Sequence, residues 1–383
     1  MMHSLFDTSA PLRFLFPIDG DYLNERDGAV ENGALTLTVR LAAPAGGAVT
    51  VNGAVATEQN GAFTACIVLE EGWTRLVAED AKTGANTTIS VFFSTRWTGK
   101  FRISSDDNIL FLSNITAHKD EYRSIFDDPY LAVYKKAHDL YGAKVHLNLF
   151  YAFDREAASH FSGERADFDL SMVTDKFKEE WRANADWLQL AFHSRTEFSD
   201  APYRHGDAAT VTADYEAVRR EIIRFAGEET FSDDVTTIHF GAANEEVLQA
   251  LRALGIKGLA GYFEIDKHGK PLVAYHTTSP LTEYVGERDF WRDTALGITF
   301  GRIDLVMNLR SLDERMAELR KILEQPHRNG FVSLMIHEQY FYADYHNYLP
   351  DFEARVLEPA RLLYERGYKG ALFKEIPALF DEM

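Results

Sequence analysis

The chain contains a single cysteine, Cys66, among its 383 residues. One cysteine cannot form an intrachain disulfide, and it cannot supply the thiolates of a structural zinc site. Cys66 lies in an alternating apolar run over residues 62–69, so we expect its thiol to be buried. The sequence therefore excludes a disulfide-stabilised fold and predicts a structural role for Cys66.

Long hydrophobic runs are also absent. No segment approaches the roughly 20 apolar residues of a membrane span, and residues 1–13 lack a basic stretch followed by an apolar one. We therefore predict a protein without a membrane span and interpret it as cytoplasmic.

Positive charge is scarce relative to negative charge. The chain has 40 lysine and arginine residues against 59 aspartate and glutamate residues, a formal net charge of -19. Such a charge repels phosphate backbones, so nucleic-acid binding is excluded as the main function. With 46% apolar and 26% charged residues, the composition is that of a folded globular protein. Its length favours two domains.

Residues 1–95 have the pattern of short strands joined by tight turns. The pairs Asn52-Gly53 and Asn60-Gly61 are typical of type I′ hairpin turns, because both central positions of that turn need positive φ. Residues 49–53, 61–65 and 71–74 resemble bacterial immunoglobulin-like modules. We predict a small antiparallel β-sandwich without catalytic residues.

Residues 96–383 alternate apolar runs with amphipathic stretches. The predicted strands end near residues 105, 148, 191, 238, 260, 305, 336 and 373, and residues 212–225 and 312–323 have the spacing of amphipathic helices. This alternation predicts a multidomain β plus α/β protein, in which a distorted (β/α)7-8 barrel follows the sandwich.

Polar residues stand where these predicted strands end, the position of active sites in parallel α/β folds. Asp106 and Asp107 follow the first strand, and one carboxylate could bind a cation while the other serves as a base, although loop or cap roles also fit an Asp-Asp pair. His193 and Glu197 are four residues apart, so one helical turn or a tight loop would direct both at one ion, with a surface ion pair of Glu197 as the alternative. His337 ends an apolar run as either a rim acid or a packed histidine.

The order of these residues resembles the polysaccharide deacetylases of carbohydrate esterase family four. Residues 103–108 are similar to the family's Asp-Asp motif, with Asn108 in place of glycine. Residues 193–197 are similar to its His-Ser/Thr-x-x-His motif, with Glu197 in place of the second histidine. Residues 238–248 echo the third motif without its arginine, and residues 333–337 are similar to the strand that ends in histidine.

The resemblance implies roles for these residues and a barrel of the deacetylase type. Asp106 would be the catalytic base and His337 the catalytic acid. The metal ligands would be Asp107, His193 and Glu197, holding zinc, or manganese or iron. Substrate-binding residues would be Asn148, His239, Tyr262 and Glu338.

The predicted function is metal-dependent hydrolysis of a carbohydrate, as N-deacetylation of an acetylated sugar in surface-polysaccharide metabolism. The alternatives are another glycan or amide hydrolysis on the same barrel, and a non-catalytic carbohydrate-binding protein.

Overall fold

The computed structural model describes residues 10–198 and 201–376. The first ten strands form two sheets. They are β1 (Arg13–Phe16), β2 (Tyr22–Leu23), β3 (Gly28–Glu31), β4 (Ala34–Ala42), β5 (Val49–Val51), β6 (Ala54–Val55), β7 (Thr57–Gln59), β8 (Ala62–Leu69), β9 (Gly72–Asp80) and β10 (Ala85–Phe93). One sheet has the order β1-β4-β8-β7, with β3 also on β4, and the other has the order β2-β10-β9-β5-β6.

These two sheets pack around one apolar core, as in a β-sandwich. Alternate residues of β4 and β8 point inward and meet β5, β9 and β10. The pairing is antiparallel except between β2 and β10, which run parallel. The predicted hairpin turns are confirmed, because Asn52, Gly53, Asn60 and Gly61 all have positive φ. The immunoglobulin-like character of this part remains a prediction.

The prediction for Cys66 is wrong, because its side chain is exposed. Phe63, Ala65 and Ile67 occupy the inward positions of β8, and the twofold alternation of a strand sends Cys66 to the outer face. The strand predicted over residues 62–69 is confirmed as β8, and only the predicted burial of the Cys66 thiol is wrong.

The strands after residue 99 are mostly parallel. They are β11 (Lys100–Asn108), β12 (Val145–Phe150), β13 (Ala152–Phe153), β14 (Phe168–Asp169), β15 (Leu188–Ser194), β16 (Val235–Thr236), β17 (Gly258–Gly261), β18 (Glu264–Ile265), β19 (Pro271–Leu272), β20 (Phe290–Asp293), β21 (Ile298–Arg302), β22 (Leu305–Val306), β23 (Phe331–His337) and β24 (Lys369–Gly370).

Nine α-helices connect these strands within the described residues. They are α1 (Leu110–Ala117), α2 (Pro129–Tyr141), α3 (Arg155–Ala158), α4 (Lys178–Ala183), α5 (Ala208–Ala226), α6 (Glu245–Ala253), α7 (Ser279–Gly286), α8 (Leu312–Ile322) and α9 (Phe352–Glu365). The amphipathic helices predicted at 212–225 and 312–323 are confirmed as α5 and α8. In the parts of the chain that are described, no helix has the length and apolarity to cross a bilayer.

The strands after residue 99 form two main sheets rather than the predicted distorted barrel, and both sheets are parallel except for the antiparallel pair β20-β21. One has the order β15-β12-β11-β23-β22, with β24 on β11, and the other has the order β16-β17-β21-β20. Strand β16 forms a ladder with β17 but none with β15. Isolated contacts bridge that gap, such as the bond from Ser232 N to Leu190 O at 2.8 Å. The fold is α/β, with the carboxyl ends of β11, β15, β16 and β23 surrounding one pocket.

The predicted domain ranges, 1–95 and 96–383, include residues 1–9 and 377–383, which lie outside the described residues. The division into domains at that boundary stays a prediction.

Candidate active site

The carboxyl end of β11 carries the adjacent carboxylates Asp106 and Asp107. Successive side chains of a regular strand point to opposite faces. Here the pairing of β11 with β12 shifts register between Ser105 and Asn108, and Asp107 takes a left-handed conformation with φ of 61°, which aspartate tolerates better than most residues. Both carboxylates consequently line the same pocket.

Two histidine rings meet Asp107 in this pocket. His193 Nε2 and His239 Nδ1 lie 3.1 and 3.3 Å from Asp107 Oδ1, and 3.1 Å from each other. The other nitrogen of each ring faces a backbone carbonyl, of Thr237 for His193 and of Glu197 for His239. Because a carbonyl only accepts hydrogen bonds, those nitrogens carry the hydrogen, and the nitrogens that face Asp107 have lone pairs when the rings are neutral.

This arrangement fits a divalent metal ion. A tetrahedral zinc ion binds nitrogen and oxygen ligands at about 2.0–2.2 Å, which places neighbouring ligand atoms about 3.3 Å apart. The three separations of 3.1–3.3 Å agree with that spacing. Carbonyls that orient ligand histidines are usual outer partners of metal sites. One carboxylate and two imidazoles suit zinc, and also iron or manganese.

The electrostatics of the cluster also favour a cation. Burial opposes the charge of Asp107, but its contacts with His193 and His239 outweigh burial and hold the pKa of Asp107 well below its ordinary value. Burial opposes the charge of His193 as well, yet Asp106 and Asp107 together raise the pKa of His193. Two negative charges thus stabilise positive charge at this point of the pocket.

Asp106 is held by a neighbouring strand. It is 4% exposed, and its Oδ1 accepts a hydrogen bond of 2.7 Å from Asn148 Nδ2 on β12. Asn148 is fully buried, and its backbone oxygen accepts a bond of 3.1 Å from Asn108 Nδ2. The sequence assigned Asn148 to substrate binding, whereas the structure places it behind Asp106, where it orients the carboxylate.

His337 ends β23, which pairs with β11 so that His337 is the partner of Asp106 in the ladder. Its Nδ1 lies 2.8 Å from Asn308 Oδ1, an acceptor, so Nδ1 carries the hydrogen. Its Nε2 lies 3.9 Å from Asp107 Oδ2, and the side chain is 25% exposed. The ring therefore presents Nε2 to the pocket, beside the cluster of Asp107, His193 and His239.

Glu197 takes a different position from the predicted one. Its backbone oxygen accepts from His239, and its carboxylate lies 3.2 Å from Gln339 Nε2, which also donates to Asp107 Oδ2 at 2.9 Å. Of the helical turn or tight loop predicted after His193, the helical turn does not form, because β15 continues to Ser194 and residues 195–198 are irregular. Burial, and next the charge of Asp107, raise the pKa of Glu197 to about 8. His239, predicted to bind substrate, supplies the third atom of the cluster in its place.

Glu338 does not reach the pocket, contrary to the predicted role in substrate binding. The residue is fully buried, and its carboxylate accepts bonds of 2.5–2.9 Å from the backbone amides of Ile109, Leu110 and Phe111, and one of 2.8 Å from Tyr342 Oη. Burial raises the pKa of Glu338 to about 7. The three amide bonds hold the start of α1, directly after the two aspartates.

The pocket that holds these residues has a volume of about 300 Å³. Tyr262, predicted to bind substrate, lines it together with Tyr340 and Phe198. Sequence reasoning did not identify Gln339 or Asn308, which fix Asp107 and His337. Gln339 lies two residues after His337, which ends a predicted strand. That position at the rim is the sequence signal from which Gln339 could have been identified as a site residue.

Comparisons with known proteins find no matching family model and no matching curated protein. Solved structures do match. A polysaccharide deacetylase from Bordetella bronchiseptica, described as putative and as involved in O-antigen biosynthesis, is 10% identical, with 72% of this chain and 86% of that chain covered and a TM-score of 0.32. A CE4 family pseudoenzyme from Bacillus anthracis is 10% identical, with 78% and 83% covered and a TM-score of 0.34.

A third match is a 4-alpha-glucanotransferase from Thermococcus litoralis, which is 10% identical, with 72% of this chain and 39% of that chain covered and a TM-score of 0.43. These likenesses assign no family. The case for function therefore depends on the residues of the pocket.

Proposed function

We propose that this protein is a metal-dependent hydrolase that removes an acyl group from an amide on a sugar, with N-deacetylation as the reference reaction. One observation carries the proposal. Three ligand atoms of Asp107, His193 and His239 lie 3.1–3.3 Å apart, in the same pocket as the carboxylate of Asp106 and the imidazole of His337.

The chain's own residues then take distinct roles. A divalent ion held by Asp107, His193 and His239 would supply Lewis acidity toward a carbonyl oxygen and toward water. Asp106, fixed by Asn148, accepts the proton of the attacking water. His337, once Nε2 is protonated in addition to Nδ1, donates the Nε2 proton to the leaving amine, while Asn308 holds Nδ1. Gln339 keeps Asp107 oriented through Oδ2.

A sugar is supported by the aromatic side chains at the rim. Tyr262, Tyr340 and Phe198 line the pocket, and Tyr345 packs on Tyr340 with ring centroids 5.3 Å apart. Tyrosine combines a flat apolar ring with a hydroxyl, which matches the C–H faces and hydroxyl groups of a pyranose. A role in surface-polysaccharide metabolism would follow if the sugar is part of such a polymer.

The ligand set is tested by measuring bound zinc in the wild type and two variants after reloading. We expect one zinc ion per chain in the wild type and in Glu197→Gln, and loss of zinc in His239→Ala. The reason is that the imidazole of His239, and not the carboxylate of Glu197, supplies the third ligand atom beside Asp107. Elemental analysis of the purified proteins decides the matter. Zinc retained in His239→Ala but lost in Glu197→Gln would instead support the ligand set predicted from sequence.

The reaction is tested on the same preparations by acetate release from acetylated chito-oligosaccharides. Asp106→Asn should keep its zinc and lose about 10²- to 10⁴-fold in turnover, the usual contribution of a general base. A wild type that binds zinc and these sugars but releases no acetate would contradict the proposal and favour a carbohydrate-binding protein.

A further inference from the structure

The pocket is lined by both polar and apolar side chains. Its polar end consists of Asp106, Asp107 and the three histidines, and its apolar wall consists of Phe240, Val273, Ile303, Val306, Leu309 and Met335. An acetyl group presents a single methyl group, which fills about the volume of one water molecule, roughly 30 Å³. The cavity measures about 300 Å³, so a methyl group by itself fills about a tenth of it.

The deep part of this wall is closed. Ile303, Val306 and Met335 are at most 7% exposed and belong to an apolar cluster between the sheets, together with Phe290 and Phe331. Phe240 and Leu309, each 45% exposed, stand at the open side. Any group that binds along this wall must therefore end at the closed side of the pocket. The free end of an acyl chain meets that condition, whereas a glycan continues beyond the reacting sugar.

The wall is also built from strained backbone. Phe240 has φ of 60° and Val273 has φ of 46°, a conformation that is uncommon for bulky residues and an outlier for a β-branched one. Two hydrogen bonds hold Val273, because Tyr262 N and Phe263 N donate to Val273 O at 2.9 and 3.2 Å. The residue also packs closely on Gly241, where an added Cβ would stand 2.5 Å from Val273 Cγ1. Such strain is concentrated at functional sites, and here it accompanies two apolar side chains that line the pocket.

We propose that the wall is an acyl subsite that accepts a straight chain of about four to eight carbons, so that the substrate is an N-acyl sugar with a chain longer than acetyl. This inference rests on the proposed function, because the polar end must hold the amide for the chain to reach the wall. Each methylene group that the wall removes from water strengthens binding about fourfold.

The subsite is tested without any sugar by titrating the zinc-loaded protein with straight-chain carboxylates from acetate to octanoate. Isothermal titration calorimetry should show affinity that rises about fourfold for each added methylene group and levels off once the wall is filled. Equal affinity for acetate and hexanoate would overturn the subsite, because the wall would then contribute nothing.

A substitution at Phe240 separates the wall from general effects on the fold. Asparagine tolerates positive φ better than phenylalanine, so Phe240→Asn keeps the backbone while it removes the ring. We expect the ratio of hexanoate to acetate affinity to fall at least fivefold. Leu272→Asn is the matched control, because Leu272 is 44% exposed and adjacent to Val273 but does not line the pocket. An unchanged ratio in Phe240→Asn, with thermal unfolding like that of the wild type, contradicts the proposal.

Turnover of N-acetyl-, N-butanoyl- and N-hexanoylglucosamine oligomers tests the acyl subsite and the proposed hydrolysis separately. Faster release of hexanoate than of acetate supports both the subsite and the hydrolysis. Release of acetate alone leaves the proposed function standing and overturns the subsite. If no acyl group is released while affinity still rises along the carboxylate series, the proposed reaction fails and the subsite remains as a binding site.

Discussion

At the scale of single residues, the site depends on an irregularity in β11. The register shift at Asp106 and Asp107, with φ of 61° at Asp107, turns two neighbouring carboxylates toward one pocket. The sequence predicted different roles for the two residues. It could not predict the backbone conformation that brings both to the same side, because aspartate also occurs in ordinary loops and caps.

Asn148 is predicted from the sequence to bind substrate, whereas in the structure it donates to Asp106. This contact allows a specific prediction. Removing its amide frees Asp106 Oδ1, so Asn148→Ala should lower acetate release about 10- to 100-fold, the usual cost of losing an orienting partner. Zinc content should stay at the wild-type value, because Asn148 contacts none of the three ligand atoms. Turnover within twofold of the wild type, with an unchanged unfolding midpoint, would contradict an orienting role.

At the scale of elements, α1 is held by a residue more than 200 positions away. Ile109, at the start of this helix, has no side chain that can cap it, and Glu338 accepts the backbone amides of Ile109, Leu110 and Phe111 instead. Helix α8, by contrast, has a local capping box of Ser311 and Glu314. The sequence predicts a local cap from spacing, but no spacing rule links Glu338 to α1.

The two caps are expected to contribute different amounts to the stability of the fold. Glu338→Ala should lower the free energy of unfolding by about 3 kcal/mol, because it leaves buried amides unpaired. Glu314→Ala, at an exposed cap, should cost about 1 kcal/mol or less. Urea unfolding of both variants measures the difference. Equal losses would mean that the amides at the start of α1 find other partners.

At the scale of the whole molecule, the sandwich and the four-stranded sheet meet along residues 19–27. Arg292 N donates to Gly20 O at 2.9 Å, Trp291 Nε1 donates to Asp19 O at 2.8 Å, and Tyr22 Oη lies 2.7 Å from Thr299 Oγ1. These contacts fix how the two parts sit against each other, on the side of β20 and β21.

Gly20 tests this contact, because a Cβ there would stand 1.8 Å from Arg292 O, whereas a Cβ on Gly33 meets nothing within 4 Å. Both glycines have φ near +85°. Gly33→Ala should therefore cost only the left-handed strain, about 1–2 kcal/mol. Gly20→Ala should cost at least about 2 kcal/mol more. Denaturant unfolding measures the free energy of unfolding of both variants. Equal losses would show that the backbone contact between Gly20 and Arg292 adjusts to the added methyl group without loss of stability.

The sequence by itself indicated most types of element and several of their ends, although the strands predicted to end near residues 238 and 373 end at Thr236 and Gly370. Twofold alternation and Asn-Gly pairs indicated the strands and hairpins up to residue 93, and apolar runs ending in Asp106, His193 or His337 indicated the parallel strands. These signals are local, because strand alternation and turn conformation depend on neighbouring residues.

Only the tertiary structure decided which side chains meet. His239 replaces Glu197 beside Asp107 because β16 ends next to β15, and Glu338 turns away from the pocket to hold α1. The strands after residue 99 divide into two main sheets because β16 pairs with β17 and not with β15. Each outcome depends on groups that lie far apart in sequence. Their proximity is fixed by packing and by the need to pair buried amides and charges, which no pattern within a single segment records.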